Sequence, residues 1–497
     1  MEILHVSVEC YPMAKAGGLA DVVGALPKYQ QDIGHIAKVV MPMHRTKFLL
    51  DNEWEVVHKG GFNMGSSYFD FTSYFDFTII KEKTNKLGFD LYCVDIYGLL
   101  DREKIYSYDD DTERFVAFQI AVLEWLRHWQ HQPDVVHVHD YHTALIPFMM
   151  KHCFVYNQLS KIRTVLTIHK RTVLTIHNAQ YQGWMNWEKA TYLPAWDTWK
   201  WGLLDWNNTV NPLACGIKCA DKVTTVSPGY MKELFQSANG LEHLFYLEAY
   251  KCFGIINGID YAVWNPKTDT YILDNFTSKD VSEGKTLNKK KLCDDFDFNI
   301  ELPLFIFIGR LVGEKAADVL PEAISTAYEN FGEIFSVLIL GSGEKNIEYQ
   351  LELINKQHVG YYNTQISYNE KLSHQMYAGA DFLLMPSRVE PCGLNQMYAM
   401  RYGTVPMVRR TGGLQDTVID YGEENGYGIC FSHANTQDIF ANTQDILQAM
   451  GRALELYKNK KLLTQLRTRM MSVETNWETS AQQYIDLQQY IDLYLSI

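Results

Sequence analysis

Short continuous apolar runs, separated by longer stretches of helical periodicity, dominate the chain. In the first half, residues 3–8, 37–41, 135–138, 173–176 and 222–226 read as strands. In the second half, 304–308, 336–340, 382–385 and 405–408 read the same way. Most of these runs lack the alternation of a strand with one wet face, as expected of parallel strands covered by helices on both sides. Strands and helices alternate in two successive blocks, which predicts an α/β protein of two doubly wound, Rossmann-like domains. Ligands in such sheets sit beyond the carboxyl ends of the strands. The division is expected near Gly254-Ile-Ile-Asn-Gly-Ile-Asp260 and the polar stretch 280–295.

Four tandem duplications interrupt the pattern. Residues 67–72 recur as 73–78, 163–169 as 171–177, 434–439 as 441–446, and 482–487 as 488–493. Perfect copies this short are not a solenoid, whose units run about 20 to 50 residues and drift in sequence. They read as an artefact of the sequence or as looped-out insertions. Two copies of a strand cannot share one slot in a sheet, so one copy of each is expected to be displaced.

Composition narrows the class. A chain of 497 residues, 47% of them apolar, has material for two cores. A net charge of −14 argues against nucleic acid and anionic membranes as partners. A phosphorylated ligand therefore needs a local basic cluster. The nine cysteines are odd in number and form no CxxC pair, so reduced thiols are expected, including Cys215 and Cys219. The amino terminus has no signal-peptide pattern, and no apolar run approaches the roughly 18 residues needed to span a bilayer. A soluble, cytoplasmic protein is expected.

Several motifs follow strands. Lys15-Ala-Gly-Gly-Leu-Ala-Asp-Val22 places Gly17 and Gly18 at a strand-to-helix turn, where backbone N–H groups can approach an anion. Arg310 and Lys315, in Phe307-Ile-Gly-Arg-Leu-Val-Gly-Glu-Lys315, suit a diphosphate whose charge grows as it leaves. Alone, either motif reads as a plain turn or a solvated loop pair. Glu390-Pro-Cys-Gly-Leu-Asn-Gln-Met-Tyr398 puts an acid at a strand's carboxyl end in apolar surroundings, fit for sugar hydroxyls or for an electron-poor anomeric carbon; a helix N-terminal acid is the plainer reading. Thr411-Gly-Gly-Leu-Gln-Asp416 offers a second anion nest at Thr411, Gly412 and Gly413. His137-Val-His-Asp-Tyr-His142 invites a metal, but nothing else in the chain completes a site of recognised spacing, and a polar cluster touching substrate is preferred. No G-x-S-x-G supports a serine hydrolase.

In order along the chain, these motifs resemble the glycogen/starch synthase family of the bacterial and plant type that uses ADP-glucose. The resemblance also rests on Asp134-Val-Val-His-Val-His-Asp140, Thr175-Ile-His-Asn178 with Tyr181-Gln-Gly183, Val223-Thr-Thr-Val-Ser-Pro228, Asn257-Gly-Ile-Asp260, Tyr377-Ala-Gly-Ala-Asp381 and Arg409–Asp416. It implies a GT-B fold with an interdomain active-site cleft. The implied domains are 1–255 joined by the tail 475–497, and 256–474. It implies retaining, metal-independent transfer of glucose to the non-reducing 4-OH of an α-1,4-glucan, with no cofactor beyond the nucleotide-sugar donor. Lys15, Gly17 and Gly18 would meet the donor phosphates from one domain, and Arg310 and Lys315 from the other. Asp140, His177, Asn257 and Glu390 would surround the glucose, with Cys392 and Gly393 lining the pocket. The place eight residues after Glu390 is Tyr398, where many related retaining transferases carry a second Glu; glycogen synthases of the bacterial type lack it too. Two departures stand out. Ala316 follows Lys315 where the family usually has Gly, and His169 duplicates His177, which is preferred because Asn178 and Tyr181-Gln-Gly183 follow it. The alternatives are a UDP-glucose or sucrose-type transferase on the same scaffold, and a non-catalytic glucan-binding scaffold.

Overall fold

A computed structural model describes residues 1–65, 73–160, 171–432 and 438–494, with residues 160 and 488–494 described by backbone alone. His169 and three of the first duplicate copies lie wholly or largely outside the described residues. The structure divides into two compact units, Met1–Asn257 with Trp477–Ile497, and Gly258–Asn476.

The first unit is built on a nine-stranded sheet. Its strands in chain order are β1 (Glu2–Val6), β2 (Ile36–Pro42), β3 (Trp54–Met64), β4 (Ser73–Glu82), β5 (Asp90–Asp95), β6 (Val135–His139) and β7 (Arg171–Ile176). A small hairpin, β8 (Asp205–Trp206) and β9 (Thr209–Val210), precedes β10 (Lys222–Thr225) and β11 (Cys252–Gly254). The spatial order is β11-β10-β7-β6-β1-β2-β5-β4-β3. All neighbours pair parallel except β4 with β5 and β3 with β4. β1 lies between β2 and β6, so the strand order reverses there and opens a crevice beyond the ends of β1 and β6. The helix Asp111–Arg127 is buried almost all round because it lies within the apolar core. The closing helix Trp477–Tyr494 packs Trp477, Ala481 and Tyr484 on Val22, Ala25, Leu26 and Ile255 of the same unit.

The second unit carries six parallel strands, β12 (Leu304–Ile308), β13 (Ser336–Gly341), β14 (Tyr362–Ile366), β15 (Phe382–Met385), β16 (Val405–Arg409) and β17 (Ile429–Phe431). Their order is β14-β13-β12-β15-β16-β17, the doubly wound arrangement, with its switch point between β12 and β15. The polar stretch 280–295 is a helix, Val281–Phe296, rather than a linker. Two of its lysines, Lys285 and Lys289, are internal. Lys285 Nζ donates to the carbonyls of Tyr377, Ala378 and Tyr402 and to Thr404 Oγ1, and Lys289 lies 2.8 Å from Asp381, which Arg467 also meets at 2.6 Å. Satisfied in this way, lysines can line a core.

The second copies of two duplications fill strand positions, 73–78 in β4 and 171–176 in β7. The last pair departs from the expected displacement. A helix absorbs six further residues by growing longer, and 482–493 run continuously in Trp477–Tyr494. All nine cysteines are free, and eight of them are buried.

Candidate active site

In the second unit, the loops after β12 and β15 meet at the switch point. A short turn, Gly313–Lys315, directs Lys315 Nζ to within 2.8 Å of Glu390 Oε1. Ser387 Oγ donates to Glu390 Oε2 at 2.9 Å. Glu390 is buried, but its surroundings are not apolar as the sequence indicated, because an ammonium and a hydroxyl hold both its oxygens. Arg388 ties the two loops together. Its guanidinium reaches Gly313 O and both oxygens of Asp318 at 2.6–2.9 Å, and the backbone N–H of Arg388 donates to Glu314 O. Exposed Arg310 pairs with Glu314. Ala316 takes the left-handed conformation, φ 52° and ψ 32°, that glycine favours, so the turn after the lysine keeps its shape without glycine.

Gly412 and Gly413 support this acid loop rather than forming an anion nest. A Cβ on Gly412 would lie 2.1 Å from Glu390 O, and one on Gly413 2.2 Å from Cys392 O. The Gly413 N–H is already taken by Glu390 O at 3.0 Å. Thr411 precedes the six-residue helix Gly412–Thr417 and its Oγ1 donates to Arg388 O at 3.4 Å. Cys392 is buried, and Gly393 has φ +74°, where a Cβ would meet Gln396 at 2.5 Å.

In the first unit, Asp140 and His177 end β6 and β7 side by side. Asp140 has φ 56°, uncommon for a residue other than glycine, and its Oδ1 accepts the His177 N–H at 2.7 Å. Burial drives the Asp140 carboxyl up from 3.8 to about 7; the N–H groups of His177 and Asn178 oppose this, and the Glu9 charge adds to it. Burial pulls His177 down to about 3. The loop after β1 corrects the sequence reading in part. The N–H groups of Ala16 and Gly17 are held by Glu9 Oε2 at 2.6 and 2.9 Å, and Lys15 lies 2.7 Å from Asp21. Yet a Cβ on Gly17 or Gly18 would meet nothing within 4 Å, and neither has positive φ, so neither packing nor conformation demands glycine there. Asn257 follows β11 with its Oδ1 buried and unpartnered among the described residues.

His137 and His139 do not reach a surface as a substrate-touching cluster. Both are fully buried, stacked 4.4 Å apart, and joined by His5 from β1. Ring nitrogens of His5, His137 and His139 lie within 4.8 Å of one another, a trio the local spacing did not reveal because His5 is distant in sequence. Ser387 and Arg388 were also missed as partners of Glu390 and Lys315, although they lie in the run that leads to Glu390.

Comparison with known proteins follows the same division. Residues 2–246 match the starch synthase catalytic domain, and residues 289–462 match glycosyl transferases group 1. The chain is 48% identical to the glycogen synthase of Flavobacterium johnsoniae over 98% of both chains. It is 36% identical to that of a Hydrogenobaculum species, again over 98% of each. The catalytic domain of starch synthase IV from Arabidopsis thaliana, bound to ADP and acarbose, aligns with a TM-score of 0.85 at 28% identity over 99% of each chain. Sucrose-phosphate synthase from Thermosynechococcus elongatus shares the fold, with a TM-score of 0.61 at 17% identity over 100% of this chain and 99% of the other. The fold and its sites define a GT-B glycosyltransferase. Full-length identity narrows this further, and the chain belongs to the glycogen/starch synthase family.

Proposed function

We propose that the chain extends an α-1,4-glucan by moving glucose from ADP-glucose to the non-reducing 4-OH, with retention at the anomeric carbon. The observation that carries this reading is the Lys315–Glu390 pair, 2.8 Å apart beyond the ends of β12 and β15. A buried carboxylate held by a cation at a switch point suits a sugar diphosphate. Lys315 and Arg310 bind the diphosphate and stabilise its charge as it leaves, while Glu390 faces the sugar. Lys15 and the open space at Gly17 and Gly18 receive phosphate oxygens in the first unit. Asp140, His177 and Asn257 surround the glucose. Lys15, Arg310 and Lys315 carry the leaving-group charge, so the reaction uses no metal or further cofactor. The ADP bound to the Arabidopsis relative supports adenine as the base.

Nucleotide release by the purified chain, with glycogen as primer and either ADP-glucose or UDP-glucose as donor, tests the assignment. Faster release from ADP-glucose is expected. A preference for UDP-glucose would reassign the donor, and binding of either donor without release would favour a glucan-binding scaffold.

A further inference from the structure

Behind His177, three polar side chains run in single file into the first unit. Gln30, on the helix Gly18–Asp32, places Oε1 2.8 Å from His5 Nε2. His5 Nδ1 lies 3.1 Å from His139 Nε2, and His139 Nδ1 lies 3.1 Å from His177 Nε2. Gln30, His5 and His139 have no exposed surface. Burial brings His5 down to about 4 and, together with the charges of the neighbouring rings, holds His139 well below its ordinary value. Each ring is therefore neutral near pH 7 and carries one N–H.

A neutral imidazole donates from one nitrogen and accepts at the other, so a proton position fixed at one end is passed along the file. The amide oxygen of Gln30 can only accept, which puts the His5 proton on Nε2. His5 Nδ1 then accepts from His139 Nε2–H, and His139 Nδ1 accepts from His177 Nε2–H. Nδ1 of His177 is left without a proton.

We propose that Gln30 and His5 are positioning residues that, through His139, hold His177 as its Nε2–H tautomer and offer Nδ1 as a hydrogen-bond acceptor to a hydroxyl of the transferring sugar. The sugar contact rests on the functional reading above; the tautomer does not. His137 belongs to a separate branch, with its Nε2 2.7 Å from Thr175 Oγ1 and that hydroxyl 2.6 Å from Thr224 Oγ1. A metal among His5, His137 and His139 would require His5 and His139 to give up their mutual hydrogen bond.

The test uses the full chain labelled with nitrogen-15 histidine and long-range proton–nitrogen correlation spectra, with His177 identified by its loss in His177→Ala. The Nε2–H pattern is expected for His5, His139 and His177 at pH 7. An Nδ1–H tautomer at His177, as a reversed Gln30 amide would impose, overturns the proposal; so does a stoichiometric metal in the purified protein. His5→Phe should let both His177 tautomers appear and lower kcat about tenfold, the size of one hydrogen bond. His5→Asn, whose side-chain oxygen stands in for Nδ1, should keep one tautomer and stay within about threefold of the parent. Equal losses in both variants with an unchanged tautomer would contradict the relay. Full activity of His177→Ala would instead remove the sugar contact, and with it the functional role given to His177, independently of the tautomer seen in the spectra.

Discussion

At the scale of single residues, the decisive pair is Lys315 and Glu390. Removing one partner strands the other charge in a largely buried site, while removing both does not. Lys315→Met and Glu390→Gln should therefore each lower the melting temperature, and the double variant should recover most of that loss. Turnover should fall at least about a hundredfold in all three, because stabilisation of the leaving charge is missing in each. Thermal melts beside initial rates check this; a double variant that recovered activity along with stability would mark the pair as structural. These two residues were legible in the sequence because both sit just beyond apolar strand runs, where an α/β sheet places its ligands. Ser387, Arg388, Gln30 and His5 were not, because their meaning lies in partners that only the fold brings within hydrogen-bonding distance.

At the scale of elements, two glycine pairs that look alike in sequence do different work. Gly412 and Gly413 let one loop pass against the backbone of Glu390 and Cys392, with no room for a methyl group. Gly17 and Gly18 face open space. Gly413→Ala should cost at least about 2 kcal/mol of stability and disturb the acid loop. Gly17→Ala should leave the melting temperature of the free protein unchanged or slightly raised, while raising the donor KM about tenfold. Melting curves and donor titrations separate the cases, and an unchanged KM in Gly17→Ala would remove that loop from the donor site. A pair of glycines before a helix reads as a nest in either place; only the atoms around an added Cβ tell them apart. The nine strands read from the sequence are all present, since runs buried on both faces leave a plain apolar signature. Among the strands that escaped, β3 did so because Trp54–Met64 is exposed or half-buried at most positions and interrupted by Gly60 and Gly61.

At the scale of the whole molecule, the first unit gathers His5, His44, His137, His139, His142 and His177, all pulled below their ordinary value of 6.5 chiefly by burial. Below pH 6.5 the unfolded chain binds protons that the folded unit refuses, so stability present above that pH is lost as pH falls. Asp140 acts in the opposite sense, since its folded value of about 7 exceeds 3.8 and favours the folded state as pH falls. Asp95, also raised by burial, acts in the same sense as Asp140, and the six histidines outweigh the two carboxyls. The melting temperature should drop by roughly 10 °C between pH 7.5 and pH 5.5, as calorimetry would read it; a flat profile would mean that the rings are charged or hydrated in the folded state. The most direct test of the whole account follows the anomeric carbon itself. ADP-glucose labelled with carbon-13 at C1 is mixed with the purified chain and a maltooligosaccharide, and the label is watched by NMR. The account predicts that it appears in a new α-1,4 linkage as ADP is released in equal amount. Label recovered in a β linkage, or as free glucose alone, would contradict it.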